Sequence, residues 1–171
     1  AVSRPFTDQD TWSMWGLKAR AFFLDGRLDP VLTMYCTEDL HHAAYPPSQP
    51  LVQTWGYLAM GGISEQLVKL LFPLWYLACA GLVWWAARQW AGPRAAAGWA
   101  LLWATTPLAL DHAALGNADL ALAAALATGA VGLAGWIEAA GQPDAAARLI
   151  GALVALAGAA WVKSDGLYLG L

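Results

Sequence analysis

The placement of a few charged residues in the apolar part of this chain constrains its fold more than any other feature. From Gln66 onward, long uncharged runs alternate with short charged breaks. The breaks contain, in order, Arg88 and Arg94; Asp111, His112 and Asp119; Glu138, Asp144 and Arg148; and Lys163 and Asp165. If each run crosses a bilayer, the breaks with arginine lie on one side, and those with Asp119 and Lys163 lie on the other. The pattern predicts that the side with the arginines anchors the protein at one membrane surface and that the opposite side carries a functional site.

Composition also indicates an integral membrane protein. Hydrophobic residues make up 59% of the chain and charged residues 12%, with a mean hydropathy of +0.47. Soluble domains carry about 25% charged residues, so this chain lies well outside their range. The net charge of -3 and the lack of a basic cluster argue against a nucleic-acid partner.

Four apolar runs are candidates for membrane crossings, namely 67–87, 95–110, 120–137 and 149–162. A helix needs about 20 residues to cross a hydrocarbon core of roughly 30 Å. Gly92-Pro93 and Gly141-Gln-Pro143 are turn signals between runs. The fourth run is short, so its helix either ends at Lys163 with little tilt or is broken at membrane depth.

Residues 1–65 are polar enough to form a loop outside the membrane, with two amphipathic helices predicted at 11–24 and 50–61. Trp12, Trp15 and Ala19 recur at helical spacing, which is typical of an aromatic face at the membrane interface. The expected fold is therefore all-α, a polytopic membrane helical bundle with a long extracytoplasmic loop that carries interfacial helices. Residues 66–171 would supply about four transmembrane helices.

The arginines predict the orientation. Arg88, Arg94 and Arg148 occupy the two short loops on one side, and the positive-inside rule makes that side cytoplasmic. Lys18, Arg20 and Arg27 in the outer loop count against this orientation, although the rule weakens for long loops. We expect a multi-pass protein of the bacterial cytoplasmic (inner) membrane with its site on the extracytoplasmic side. The missing initiator methionine and the apolar end at 166–171 predict a segment of a longer protein.

Charged groups in or near a bilayer cost from about 2.5 kcal/mol upward, so each has both a structural and a functional interpretation. Asp119 is either the N-cap of a membrane helix or a carboxylate that orients a substrate hydroxyl or a loop residue. Lys163 with Asp165 is either a snorkelling lysine with its counter-ion or a site for an anionic ligand such as a lipid phosphate. The pair His41-His42 fits a solvated loop better than a metal site.

Four motifs occur in order along the chain. They are DTWSMWGLKAR at 10–20, HHAAYPPSQPL at 41–51, GNADL at 116–120 and KSDG at 163–166. Together they resemble the N-terminal half of the GT-C fold membrane glycosyltransferases that use polyprenyl-phosphate sugars. That group includes the protein mannosyltransferases of glycosyltransferase family 39 and the aminoarabinose transferase of lipid A. The resemblance spans essentially the whole chain.

The resemblance implies roles for individual residues. In that family an acid early in the first extracytoplasmic loop is the candidate catalytic base; Asp10 occupies the matching place, with Asp8 as the fallback. Asp119 matches a recurring aspartate at the start of a membrane helix. Lys163 matches a recurring lysine shortly before a glycine, and Asp165 stands where glutamate is frequent. The candidates for substrate binding are Asp119, Lys163, Asp165, His42, Tyr45 and Lys18.

The implied reaction suits these residue types. A polyprenyl phosphate is a competent leaving group, so the enzyme needs a carboxylate to take the acceptor's proton and cations to stabilise the phosphate. The expected partners are a polyprenyl-phosphate-linked sugar donor, a lipid, glycan or protein acceptor, and membrane lipids. No cofactor is certain, and a divalent metal stays open.

Two other classes of function compete with the transferase. A transporter or channel subunit would use Lys163 and Asp165 in its substrate path and would contain a pseudo-symmetric repeat. A non-catalytic membrane scaffold would tolerate substitution of Asp10. The transferase, by contrast, predicts one cluster of Asp10, Asp119 and Lys163 around a lipid-accessible cavity.

Overall fold

The computed structural model describes residues 5–28 and 45–169, and this part of the chain is all-helical, without a β-strand. The helices are α1 (Leu17–Asp25, entered through a π-helical segment, Thr11–Gly16), α2 (Ser48–Met60), α3 (Glu65–Val68), α4 (Phe72–Ala104), α5 (Pro107–Leu115), α6 (Asp119–Glu138), α7 (Ala145–Val162) and α8 (Asp165–Leu169). A 3₁₀ turn, Lys69–Leu71, joins α3 to α4. Three described segments are long and apolar enough to cross a membrane, namely Glu65–Ala104, Asp119–Glu138 and Ala145–Val162. The all-α prediction is confirmed.

Helix α4 reverses direction at Gly92. This residue has φ 74° and ψ 169°, which is not helical. The Tyr76 hydroxyl donates a hydrogen bond to the Ala104 carbonyl at 2.7 Å, and the Tyr76 and Trp103 ring centroids are 5.4 Å apart. A straight helix would hold positions 76 and 104 about 42 Å apart, at roughly 1.5 Å per residue. The helix therefore consists of two antiparallel legs, 72–91 and 93–104, as the glycine-proline signal predicts.

The second predicted crossing, 95–110, is interrupted. Pro107 has no N–H to continue the preceding helix, so the second leg of α4 ends before it and α5 begins at the proline itself. Thr105 and Thr106 hydroxyls donate to the carbonyls of Leu101 and Leu102 at 2.9 Å and 3.1 Å. The Leu101 carbonyl also accepts the Thr105 backbone N–H, so the hydroxyl bonds supplement the end of the helix and supply the Leu102 carbonyl with a donor. The run predicted as one crossing, with Pro107 near its end, is therefore divided between two helices.

Helices α6 and α7 form an antiparallel hairpin with close contact between their backbones. A methyl group added at Gly132 would lie 2.9 Å from the Ala152 Cβ, and one at Gly129 would lie 2.5 Å from a Leu156 methyl group. Small residues of this kind let membrane helices pack closely. The connection turns at Gly141, which has φ 83°, as predicted.

Helices α1 and α2 form a separate outer layer and pack on each other. Trp15 is only 2% exposed and Phe22 is buried, whereas Trp12 is 45% exposed. The Phe23 and Tyr57 rings meet edge to face at 5.9 Å, which joins the two helices. The aromatic face predicted for the membrane interface is therefore mostly an internal face, because α2 covers it.

A buried polar cluster attaches this outer layer to the start of the first apolar helix. The Glu65 carboxylate accepts the Phe6 N–H at 2.9 Å and forms an ion pair with Arg20. The Lys69 ammonium donates to the Pro5 carbonyl at 3.4 Å. The outer layer is thus fixed to the same end of the bundle as the beginning of α4.

Candidate functional site

A cluster of charged side chains forms where α5, α6 and α7 come together. The Lys163 Nζ lies 2.9 Å from Asp119 Oδ1 and 3.4 Å from Asp165 Oδ2. His112 Nδ1 lies 3.6 Å from the other Asp119 oxygen. The structure thus brings together three of the predicted site residues and adds a histidine.

A break in the last helical segment directs Lys163 into this cluster. Helix α7 ends at Val162, Lys163 is extended (φ -153°, ψ 147°), and α8 starts at Asp165. The Gly166 N–H donates to the Lys163 carbonyl at 2.9 Å. A methyl group on Gly166 would overlap the Ala159 carbonyl, so only glycine fits this close return of the chain. A break after Val162 is thus observed, whereas its depth in a membrane stays a prediction.

Asp119 does not act as an N-cap. Ala118 is the residue that precedes α6, and it makes no side-chain cap hydrogen bond. Asp119 is instead in the first turn of the helix, where the helix dipole favours a negative charge. Its carboxylate is bound to Lys163, so the predicted capping role is wrong and the alternative of a carboxylate that makes a tertiary contact is observed.

Two opposing effects act on the charge of Lys163. Burial lowers the pKa of the Lys163 ammonium, but the hydrogen bonds and charges of Asp119 and Asp165 outweigh burial and raise it above the ordinary value of 10.5. The group therefore keeps its positive charge at neutral pH. An ammonium has three N–H donors, and the two carboxylates use two of them.

The outer layer reaches the loop that leads into Asp119. The Thr11 hydroxyl oxygen lies 2.8 Å from the Leu115 carbonyl and 2.6 Å from Asn117 Oδ1. The Gln49 amide donates to the Gly116 carbonyl at 3.1 Å. These contacts fix the turn from α5 into α6. Thr11, Gln49 and Asn117 each lie within one of the four sequence motifs, and this position is the one sequence signal that could have identified them.

The Gly116 backbone is held under two aromatic rings. Gly116 has φ 87°, and a methyl group there would lie 2.7 Å from the Phe72 ring and 3.1 Å from the Phe6 ring. Only glycine satisfies both the backbone angle and the space. The backbone angle and the two rings therefore explain why the first residue of the GNADL motif is glycine.

Asp10 does not join the charged cluster. It is exposed at the start of the π-helical segment and makes no side-chain cap. Within residues 5–28 and 45–169 it forms no hydrogen bond or ion pair with Asp119 or Lys163. Asp10 is thus not in direct contact with the other two residues, and a shared cavity for all three stays a prediction. Asp8 is connected to the loop, because its carboxylate lies 3.0 Å from the Thr11 hydroxyl.

Two other predicted binding residues, Tyr45 and Lys18, lie in or beside the outer layer. The Tyr45 ring stacks on Trp15, with centroids 5.7 Å apart. Lys18 is on α1 and is buried. His42 lies outside the described residues. No group of three histidine, cysteine, aspartate or glutamate side chains in the described ranges could hold a metal ion, and metal dependence stays an open question.

An apolar groove of about 500 Å³ lies between the first leg of α4, α6 and α7. Its wall residues include Ser48, Trp75, Ala121, Ala155, Trp161 and Val162. Val162 directly precedes Lys163, and Ala121 follows Asp119 by two positions. The charged cluster therefore lies at one end of an apolar groove.

Over residues 5–28 and 45–169, the fold is thus all-helical, with three helices long and apolar enough to cross a membrane and a charged cluster beside an apolar groove. Comparisons with protein-family models, with curated proteins and with solved structures found no match. The residues of the site are therefore the basis for a proposed function.

Proposed function

We propose that this chain belongs to a multi-pass glycosyltransferase of the bacterial cytoplasmic membrane. The enzyme would move a sugar from a polyprenyl-phosphate donor to a lipid, glycan or protein acceptor on the outer face. The observation that supports this most directly is the apolar groove that ends at Lys163, Asp119 and Asp165. A polyprenyl phosphate has the same polarity, with a long apolar chain and a charged end.

The chemistry assigns different tasks to the acidic and basic residues. The bond between the sugar's anomeric carbon and the phosphate oxygen breaks, and the acceptor oxygen forms the new bond while a carboxylate takes its proton. We assign the proton transfer to Asp10, whose exposed carboxylate is open to an acceptor from outside. The phosphate leaves with the bond electrons and needs positive charge around it.

Lys163 alone supplies too little positive charge for a phosphate. Its ammonium already faces two carboxylates, which leaves one of its three N–H donors for a ligand. We therefore propose that Lys18 and His42 of the outer segment contribute, and that Asp119 and Asp165 orient Lys163.

The test compares release of free polyprenyl phosphate by the full-length protein in lipid, supplied with a panel of polyprenyl-phosphate sugars. Asp10→Asn is expected to lower release by about 100-fold or more, the range of general base catalysis. Asp25→Asn is the matched control, because Asp25 is also an exposed carboxylate of the outer layer. If Asp8→Asn abolishes release while Asp10→Asn does not, Asp8 is the base. Full release by both variants would contradict the proposed mechanism.

One observation favours a transporter as the second candidate. Transporters often place broken helices with charged groups at their substrate sites, and α7 is broken at Lys163. This alternative predicts no donor turnover, together with solute or proton flux into proteoliposomes that Lys163→Gln abolishes. Turnover of a donor without such flux would exclude it.

A further inference from the structure

A second groove lies along the other half of the same helices. It has a volume of about 400 Å³ and lies between the first leg of α4, α6 and α7. Its lining residues include Trp85, Gln89, Thr128, Gly132, Arg148 and Gly151. This groove and the one that ends at Lys163 have Thr128 in common. The two grooves therefore follow each other from one end of the bundle to the other.

The second groove is polar at one end only. Gln89 lies three residues before the Gly92 turn, and Arg148 lies in the first turns of α7, so both are at the end of the bundle that carries these connections. At the opposite end, the Thr128 hydroxyl donates to the Ala124 carbonyl at 2.7 Å and is thus satisfied. The wall between the two ends consists mainly of Trp85 and glycines. A lipid in one leaflet has the same arrangement, because its polar head group lies at the membrane surface and its apolar chains extend toward the middle of the bilayer.

Arg148 is held in place but keeps donors for a ligand. Its Nε and Nη2 donate to the Asp144 carboxylate at 2.9 Å and 2.8 Å, and its Nη1 donates to the Gly135 carbonyl at 3.3 Å. A guanidinium has five N–H donors, so two remain. Positive charge with spare donors at the polar end is complementary to an anionic head group.

We propose that this groove binds an anionic phospholipid of the cytoplasmic leaflet. The phosphate would be bound by Arg148 and Gln89, and one acyl chain would lie between Trp85 and the small residues Gly132 and Gly151. This inference depends on the membrane placement and orientation proposed above, but not on glycosyl transfer.

The test measures lipid binding by the full-length protein purified in a neutral detergent. Dioleoyl phosphatidylglycerol and dioleoyl phosphatidylcholine are titrated separately, and bound lipid is quantified by native mass spectrometry. Arg148→Gln removes the cation, and Gly151→Leu fills the groove, since nothing lies within 4 Å of an added Cβ there. Arg94→Gln and Gly98→Leu are the matched controls, because Arg94 is exposed, Gly98 also faces open space and neither lines this groove.

Phosphatidylglycerol is expected to bind at least about tenfold more tightly than phosphatidylcholine, the scale of a charge-assisted hydrogen bond. Arg148→Gln and Gly151→Leu should each weaken phosphatidylglycerol binding about tenfold, and the two controls should bind as the wild type does. Equal binding of the two lipids, wild-type binding by either groove variant, or a similar loss in the controls would overturn the proposal. Release of polyprenyl phosphate by Arg148→Gln should be unchanged, so a failure here is distinguishable from a failure of the proposed enzyme activity.

Discussion

The ion pair between Lys163 and Asp119 joins the end of α7 to the start of α6. Its contribution to stability depends on how far the two side chains are buried. The Lys163 side chain is 19% exposed and that of Asp119 is 41% exposed, so the pair is partly removed from water. Removing either Lys163 or Asp119 leaves the charge of the other partly buried and without its ion-pair partner. The pair should therefore contribute more than a solvent-exposed ion pair does.

Lys163→Gln and Asp119→Asn should each lower the thermal unfolding midpoint in detergent by about 2–4 °C, the shift expected for roughly 1 kcal/mol in a chain of this length. A double-mutant cycle should give a coupling energy of about 1 kcal/mol, at the upper end for partly exposed pairs. The exposed pair Asp144 and Arg148 is the control and should couple less. A coupling between Lys163 and Asp119 no larger than that of the control would contradict the prediction.

The pH dependence of this penalty follows from the direction of the Lys163 pKa shift. The folded-state pKa is raised above 10.5, so the stabilisation is complete below that value and is lost as the pH rises through the folded-state pKa. The penalty of Lys163→Gln should thus stay constant between about pH 6 and pH 9 and shrink only in strong base. The measurement uses a His112→Gln background to remove the imidazole beside Asp119. A stability loss for Lys163→Gln that varies with pH across the neutral range would contradict the raised pKa of Lys163.

Sequence reasoning found the charged residues of the site but not their neutral partners. Asp119, Lys163 and Asp165 are recognisable because charges are rare between apolar runs. Thr11 and Asn117 are 106 positions apart, and their contact depends on how the outer layer docks on the bundle. A neutral polar residue in a polar segment carries no comparable signal.

At the scale of the helical element, the break between α7 and α8 controls the direction of Lys163. The Gly166 backbone returns against the last turn of α7 so closely that a side chain has no room. Gly158, on α7 itself, faces open space where a methyl group would meet nothing within 4 Å. The two glycines therefore form a matched pair for substitution.

Gly166→Ala should destabilise the protein by about 1–3 kcal/mol, the usual cost of overpacking, and should displace Lys163 from Asp119. Gly158→Ala should instead be neutral or stabilise by up to about 1 kcal/mol, because alanine is the better helix former. Thermal unfolding in detergent measures both. Equal effects of the two substitutions would show that the close return at Gly166 does not limit stability.

Turns were easier to predict than the surfaces that helices cover. Gly92 and Gly141 have the positive φ angles that glycine signals predict. The run 95–110 was assigned to one crossing with Pro107 near its end, and the break before this proline was not predicted. The buried face of α1 was also assigned to the wrong neighbour, since helical periodicity shows that a face is apolar but not which surface covers it.

The whole molecule exposes large apolar side chains around its long helices. They include Leu74, Leu77, Trp99, Leu102, Leu153 and Val154. Exposed apolar patches of this extent are unusual in soluble monomers and typical of surfaces that contact another apolar medium. If these side chains contact lipid, the property to measure for the whole molecule is which side of the membrane each end of the helices faces.

Labelling of single cysteines tests the orientation. In a background without Cys36 and Cys79, Asp25→Cys in the outer layer should react with a membrane-impermeant maleimide in intact cells. Gln142→Cys, in the turn between α6 and α7, should react only after the membrane is permeabilised, because the arginine-bearing side is expected to be cytoplasmic. Both positions are exposed, so accessibility within the fold does not differ. The reverse labelling pattern would contradict the proposed orientation.

The reversal at Gly92 also has a consequence for biosynthesis. The leg 93–104 is about 18 Å long, well short of the roughly 30 Å hydrocarbon core, so it cannot be inserted as an independent stop-transfer segment. Tyr76 donates its hydrogen bond to the carbonyl at the end of this leg. The second leg therefore depends on its contact with the first leg, and we expect the two legs to enter the lipid together as one unit.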